Sequence, residues 1–88
     1  MKEIGKKYYF LKVDNFYDAE KEEYKLEAQI DEVTLKWIYK EMDKEDEYVI
    51  IKWTTTLPAK SEDIFDTVED AKTEAKKRLF AIPIIVNN

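Results

Sequence analysis

Few residues in this chain could do covalent chemistry, and their spacing is poor. There is no histidine and no cysteine. That removes imidazole acid–base catalysis, thiol nucleophiles, disulfides and zinc sites of the usual Cys/His kinds. Ser61 is the only serine, and Lys60 is its neighbour in sequence. Adjacent residues rarely hold a nucleophile and its base in productive geometry. With 20 acidic residues, a pair of carboxylates of the glycosidase kind is trivially available and carries no signal. The only glycine is Gly5, which excludes a glycine-rich phosphate cradle. The acidic run Asp43–Glu47 lacks the glycine and the ligand spacing of an EF-hand loop. The sequence therefore predicts no enzyme, no metal and no cofactor.

Binding residues are more abundant. Tyr8 and Phe10, with Lys6, Lys7 and Lys12 around them, suggest a stacking platform for nucleic-acid bases. The net charge of −5 opposes that reading, because phosphate contacts need a basic stripe. Charge is also unevenly placed. Residues 1–13 carry +3, residues 14–32 carry −6, residues 33–60 are neutral and residues 61–88 carry −2. The acidic segment offers Asp18, Glu20, Glu22, Glu23 and the strand residue Glu27 to a basic partner. Alternate residues of a strand are about 6.8 Å apart, of the same order as successive phosphates, so acidic mimicry of DNA is physically reasonable. Two Trp and six Tyr are more than one small core uses, and both types are enriched at protein interfaces.

The elements that must position these residues can be read from periodicity. Ile64, Val68, Ala71, Ala75, Leu79 and Ile82 recur at steps of three and four, which predicts an amphipathic helix over about 67–81. Thr67 stands at the N-cap with Asp70 three residues on. Acids occupy the first turn and Lys76, Lys77 and Arg78 the last, which suits the helix dipole. Pro83 stops the helix.

Lys6–Val13 reads as a strand with Tyr9, Leu11 and Val13 on one face and Tyr8, Phe10 and Lys12 on the other. Asp14–Glu23 reads as a polar connection. Tyr24–Ile30 alternates cleanly, with Tyr24, Leu26, Ala28 and Ile30 inward. Val33–Tyr39 favours a strand, with a helix running on through residue 44 as its alternative. A turn at Asp31–Glu32 would pair Leu26 with Trp37 and Tyr24 with Tyr39 on the inner face. Tyr48–Thr56 is rich in β-branched residues and predicts a strand with Val49, Ile51 and Trp53 inward. Pro58 ends it. Ile84–Val86 suits a short terminal strand, a segment tucked under the helix, or a dimer contact.

Eighty-eight residues predict one domain, 1–88. The class is α+β: a three- to four-stranded antiparallel meander with one C-terminal helix packed on one face. No apolar run approaches a membrane span, and the absence of cysteine fits a cytoplasmic protein.

Short, acidic, aromatic-rich and free of His and Cys, the chain resembles in composition the small proteins encoded by phages and mobile elements of low-GC bacteria. Many of those bind and block a host enzyme or a defence complex, anti-CRISPR proteins among them. That resemblance implies an inhibitor but carries no motif and transfers no site. The function predicted is a non-catalytic protein-binding module that occludes a host or defence protein, the partner being a basic nucleic-acid-handling protein. The alternatives are a structural or assembly subunit, homodimeric through Ile84–Val86 or the Tyr8/Phe10 face, and a nucleic-acid accessory protein.

Overall fold

A computed structural model describes residues 2–40, 42, 46–78 and 82–87. Six strands and one helix follow in the order β1 (Lys7–Asp18), β2 (Glu23–Tyr39), β3 (Glu47–Lys52), β4 (Thr55–Lys60), a 3-10 turn (Ser61–Asp63), β5 (Ile64–Phe65), α1 (Val68–Arg78) and β6 (Ile84–Asn87). The fold is mostly antiparallel sheet with one C-terminal helix, so the α+β class holds, but there are more strands than the three or four expected. No helix among the described residues is long and apolar enough to cross a membrane.

The strand order is β4-β3-β2-β1-β5, and β6 lies parallel to β2 at Ala28–Asp31. The last strand is thus intramolecular, and Ile84 and Val86 pack into a core cluster. β4 and β5 stand at opposite ends of the strand order, yet only the three-residue 3-10 turn joins them. The sheet must therefore curl until its ends meet. Its inside holds Tyr8, Val33, Leu35, Tyr48, Ile50, Ala59 and Ile64, with Phe10, Ile38 and Leu57 at the margin. A second core lies on the opposite face, where Ala71 and Ala75 of α1 sit on Leu11, Ala28 and Ile30. Two alanines let the helix backbone approach the strands closely.

The helix begins as its sequence requires. Thr67 Oγ1 accepts the Asp70 N–H at 3.1 Å, and the Thr67 carbonyl accepts from Ala71 at 3.2 Å. Positions 79–81 of the expected helix lie outside the described residues, as do residues 41 and 43–45 of the charged connection.

Several sequence expectations fail, among them the connection at Asp14–Glu23, since β1 runs on through Asp18. No turn forms at Asp31–Glu32; residues 23–39 are one strand of 17 residues. Asp31 is only 2% exposed. Its carboxylate lies where β3 and β6 both end along one edge of β2: Lys52 Nζ is 2.9 Å from Oδ2, and Asn87 Nδ2 donates to Oδ1 at 2.9 Å. Neither Asp nor Glu favours the positive φ of a tight hairpin turn, and here both residues pair with β1 instead.

Trp37 and Tyr39 do not face inward. The β2–β3 register slips between Leu35 and Trp37. Such a bulge inserts one residue and reverses the alternation. Leu35 and Ile38 therefore face the core, while Trp37 is 55% exposed.

Tyr48–Thr56 is not one strand. It breaks at Trp53–Thr54 into the β3–β4 hairpin, and Tyr48 and Ile50 face inward in place of Val49, Ile51 and Trp53. Trp53 stands 83% exposed at φ +55°, with Lys52 Nζ 5.2 Å from its ring centre. Pro58 lies within β4, where an edge strand tolerates the missing N–H.

Two measurements check this architecture. Leu35→Ala should destabilise by about 2–5 kcal/mol, and Trp37→Ala by less than about 1 kcal/mol, in chemical denaturation. The inward-Trp37 register would give Trp37→Ala a cost as large as that of Leu35→Ala. Asp31→Ala should cost about 3 kcal/mol, because it leaves the Lys52 ammonium without its buried partner. A cost below about 0.5 kcal/mol would mean that the carboxylate is not holding β3 and β6 to β2.

Candidate protein-interaction surface

The site follows from an inequality of strand lengths. β1 and β2 pair continuously from Lys7↔Thr34 to Asp18↔Glu23. β5 flanks β1 only at Tyr9 and Phe10, and β6 flanks β2 only from Ala28 to Asp31. Among the described residues nothing pairs with the outer edges of residues 13–18 or 23–27. The pair therefore runs out of the sheet as a two-stranded ribbon, and the molecule measures 44 × 28 × 25 Å.

The ribbon has two unlike faces. The helix-side face carries the cross-strand pairs Val13↔Ala28, Asn15↔Leu26 and Tyr17↔Tyr24. α1 covers it only as far as Leu11, Ala28 and Ile30. Beyond the helix Val13 and Leu26 lie exposed, as do Tyr17 at 53% and Tyr24 at 75%. The two tyrosine rings meet at 5.2 Å with a tilt of 56°, a favourable aromatic arrangement.

Ala28 N–H donates to the Pro83 carbonyl, so the backbone groups of Ala28 face β6. Alternation along an antiparallel pair then turns Gln29 and Lys12 toward each other and makes Tyr17↔Tyr24 a non-hydrogen-bonded pair, the closer kind. The rings are thus held by the ladder before any partner arrives. Contiguous exposed apolar surface of this sort marks interaction sites.

The opposite face carries charge. Lys12 Nζ lies 3.2 Å from Asp14 Oδ1 and Lys25 Nζ lies 3.1 Å from Asp18 Oδ2. Gln29 Nε2 donates to Glu27 Oε1 at 2.8 Å. The tip, residues 19–22, is built by Asp18, whose Oδ1 accepts the N–H groups of Glu20 at 3.1 Å and Lys21 at 3.4 Å. The Lys25 hydrogen bond, opposed by slight desolvation and helped by those two N–H groups, holds the Asp18 carboxyl below its usual range. The same contact raises Lys25. Glu22 closes the turn at φ +51°.

The residues singled out from sequence separate here. Asp18, Glu20, Glu22 and Glu23 gather at the ribbon tip, and Glu27 lies on its charged face. Tyr8 does not join them. It is 1% exposed inside the curled sheet, and its hydroxyl accepts the Glu3 N–H at 2.6 Å. Phe10 is half-buried beside it. The expected uncovered Tyr8/Phe10 face is the interior, because the curl folds β3 and β4 over it.

Sequence reasoning missed Val13, Phe16, Tyr17, Tyr24 and Leu26 as surface residues. Phe16 and Tyr17 had been assigned to a loop, Tyr24 and Leu26 to the core. One signal pointed to them: a polar run from Asp18 to Glu23 bounded by a tyrosine on each side, which is a hairpin tip with a cross-strand aromatic pair.

No group of three or more acidic residues close enough to hold a metal ion occurs among the described residues. No protein-family model matches the chain, and no curated protein or solved structure is similar to it.

The tip should respond to acid in one direction. A lowered carboxyl contributes stability above its unfolded pKa, about 3.9, and loses it as pH falls through the still lower folded value. Tyr17 and Tyr24 ring resonances should be unchanged at pH well above that range and shift toward random-coil values only below it. Asp18→Ala should show the loosened spectrum at neutral pH. An unchanged spectrum in the variant would remove Asp18 as the organiser of the turn.

Proposed function

We propose that the chain is a non-catalytic protein-binding module and that the β1–β2 ribbon is its contact element. The carrying observation is the uncovered strip Val13, Tyr17, Tyr24 and Leu26 on strands that are already paired and ordered. A rigid ribbon gives up little conformational entropy on binding, so its aromatic anchors retain most of their burial energy. The acidic tip supplies the second part. No ion pair engages Glu20 or Glu22 among the described residues, and charge at an interface rim raises association rates toward a basic partner.

The reading of a phage or mobile-element type of inhibitor that occludes a basic, nucleic-acid-handling host or defence protein comes from composition, and the ribbon is the element it would use. Occlusion would be steric: the ribbon fills a groove or covers a face. A continuous phosphate-like row of carboxylates is not what supports it, since Lys12 and Lys25 interleave the acids along the ribbon. The negative charge that remains is concentrated at the tip.

The test uses whatever protein the wild-type chain retains from host lysate at low salt. Tyr17→Ser with Tyr24→Ser should weaken that complex about 30-fold or more, as for aromatic hot spots, with thermal stability nearly unchanged. Glu20→Lys with Glu22→Lys should slow association and flatten its salt dependence while leaving dissociation alone. A wild-type chain that retains nothing, or a complex indifferent to the tyrosine pair, would sink the proposal.

A further inference from the structure

We infer that the outer edge of β1 is a pairing site for a second copy of this chain, strand to strand and antiparallel about Asn15. Beyond Phe10 no strand pairs with this edge among the described residues, and its only guard is charge, from Lys12, Asp14 and Asp18. Since Lys12 turns its backbone groups toward Gln29, the alternation points those of Val13, Asn15 and Tyr17 outward. Natural edges are blunted by proline, bulges or covering elements. The β4 edge carries Pro58, whereas residues 12–18 of β1 carry no proline and no register shift.

The segment Lys12-Val13-Asp14-Asn15-Phe16-Tyr17-Asp18 is complementary to itself when reversed. With Asn15 opposite Asn15 of the second copy, Val13 faces Tyr17 twice and Lys12 faces Asp18 twice. Those are a β-branched–aromatic pair and an opposite-charge pair, both favourable across strands, the charge pair forming as Lys12 and Asp18 exchange their contacts with Asp14 and Lys25. A shift of one residue in each strand places Asp14 opposite Asp14, or Asp14 opposite Asp18 twice. Like charges directly opposite are unfavourable, so the charge pattern selects one register.

Space is available as well. An open groove of about 550 Å³ runs beside Phe10–Val13 and is bounded by Glu47, Pro58, Lys60, Glu62, Asp63 and Arg78. It leaves room for the turn of the second copy. The two-fold axis is perpendicular to the sheet, so both aromatic strips lie on the same side of a four-stranded β2-β1-β1-β2 platform.

This pairing does not rest on the partner contact proposed above. Val13 and Tyr17 belong to both contacts, so the two are told apart by Lys12→Asp and Asn15→Cys, which leave the tyrosine strip in place. Light scattering over a dilution series should show a reversible dimer. Asn15→Cys introduces the only cysteine. A hydrogen-bonded pair sets Cα atoms about 5.5 Å apart, within disulfide range. Mild oxidation should therefore cross-link this variant much faster than Thr56→Cys on β4.

Lys12→Asp should weaken the dimer about tenfold, since it opposes two aspartates to each other twice. Asn15→Pro, whose lost N–H points outward, should be a folded monomer by circular dichroism that keeps its tyrosine strip. A wild-type monomer at every concentration overturns the proposal. So does cross-linking of Asn15→Cys no faster than that of Thr56→Cys, or a dimer unmoved by Lys12→Asp. If Asn15→Pro does not fold, the other two variants decide.

Discussion

The buried carboxylate of Asp31 is the point on which the sheet turns. β2 shares one edge between two strands, β3 above and β6 below, and neither reaches the other. The gap between them would expose backbone and open a fault in the sheet. Asp31 fills it, and its two oxygens are claimed by Lys52 at the end of β3 and Asn87 at the end of β6. A charge so placed is costly to desolvate and tolerable only when it is fully paired. β2 runs straight on in sequence through this point, as one strand of 17 residues with no turn.

That straightness explains the two cores and the ribbon together. A long central strand exposes both faces, and each needs a cover. The curl of β3 and β4 covers one, and α1 covers the other. α1 reaches no further along β2 than Ala28 and β3 no further than Thr34, and the flanking strands β5 and β6 are two and four residues long. The far end of β2 and its partner β1 thus project with apolar side chains that the fold has no means to bury. The exposed apolar strip is what remains when the strand is longer than its supports.

The β-bulge at Lys36 works in the other direction. By shifting the alternation it brings Ile38 to the core and puts Trp37 on the outside. Without it the alternation would put Leu35 and Trp37 on the same, inward face. Trp53 meets a similar fate through a turn. Both tryptophans, which hydropathy alone would bury, end on the surface for reasons of backbone geometry.

By itself the sequence determined the composition of the chemistry, the helix with its Thr67 cap, and the alternation that made Ala28 and Ile30 core residues, while it left Ile84–Val86 open between a strand, a segment under the helix and a dimer contact. These are local properties: caps, periodicity and residue type act within one or two turns. The tertiary structure alone decided that Asp31–Glu32 is mid-strand, that Leu35 and not Trp37 is inside, that Tyr8 is covered, and that Tyr17 and Tyr24 are not. Each of these depends on which strand lies alongside and how far it extends. A partner distant in sequence sets that, and no local pattern records it. The acids from Asp18 to Glu23 were legible as a charged segment, but their place at the tip of an aromatic ribbon came only from the register of β1 against β2.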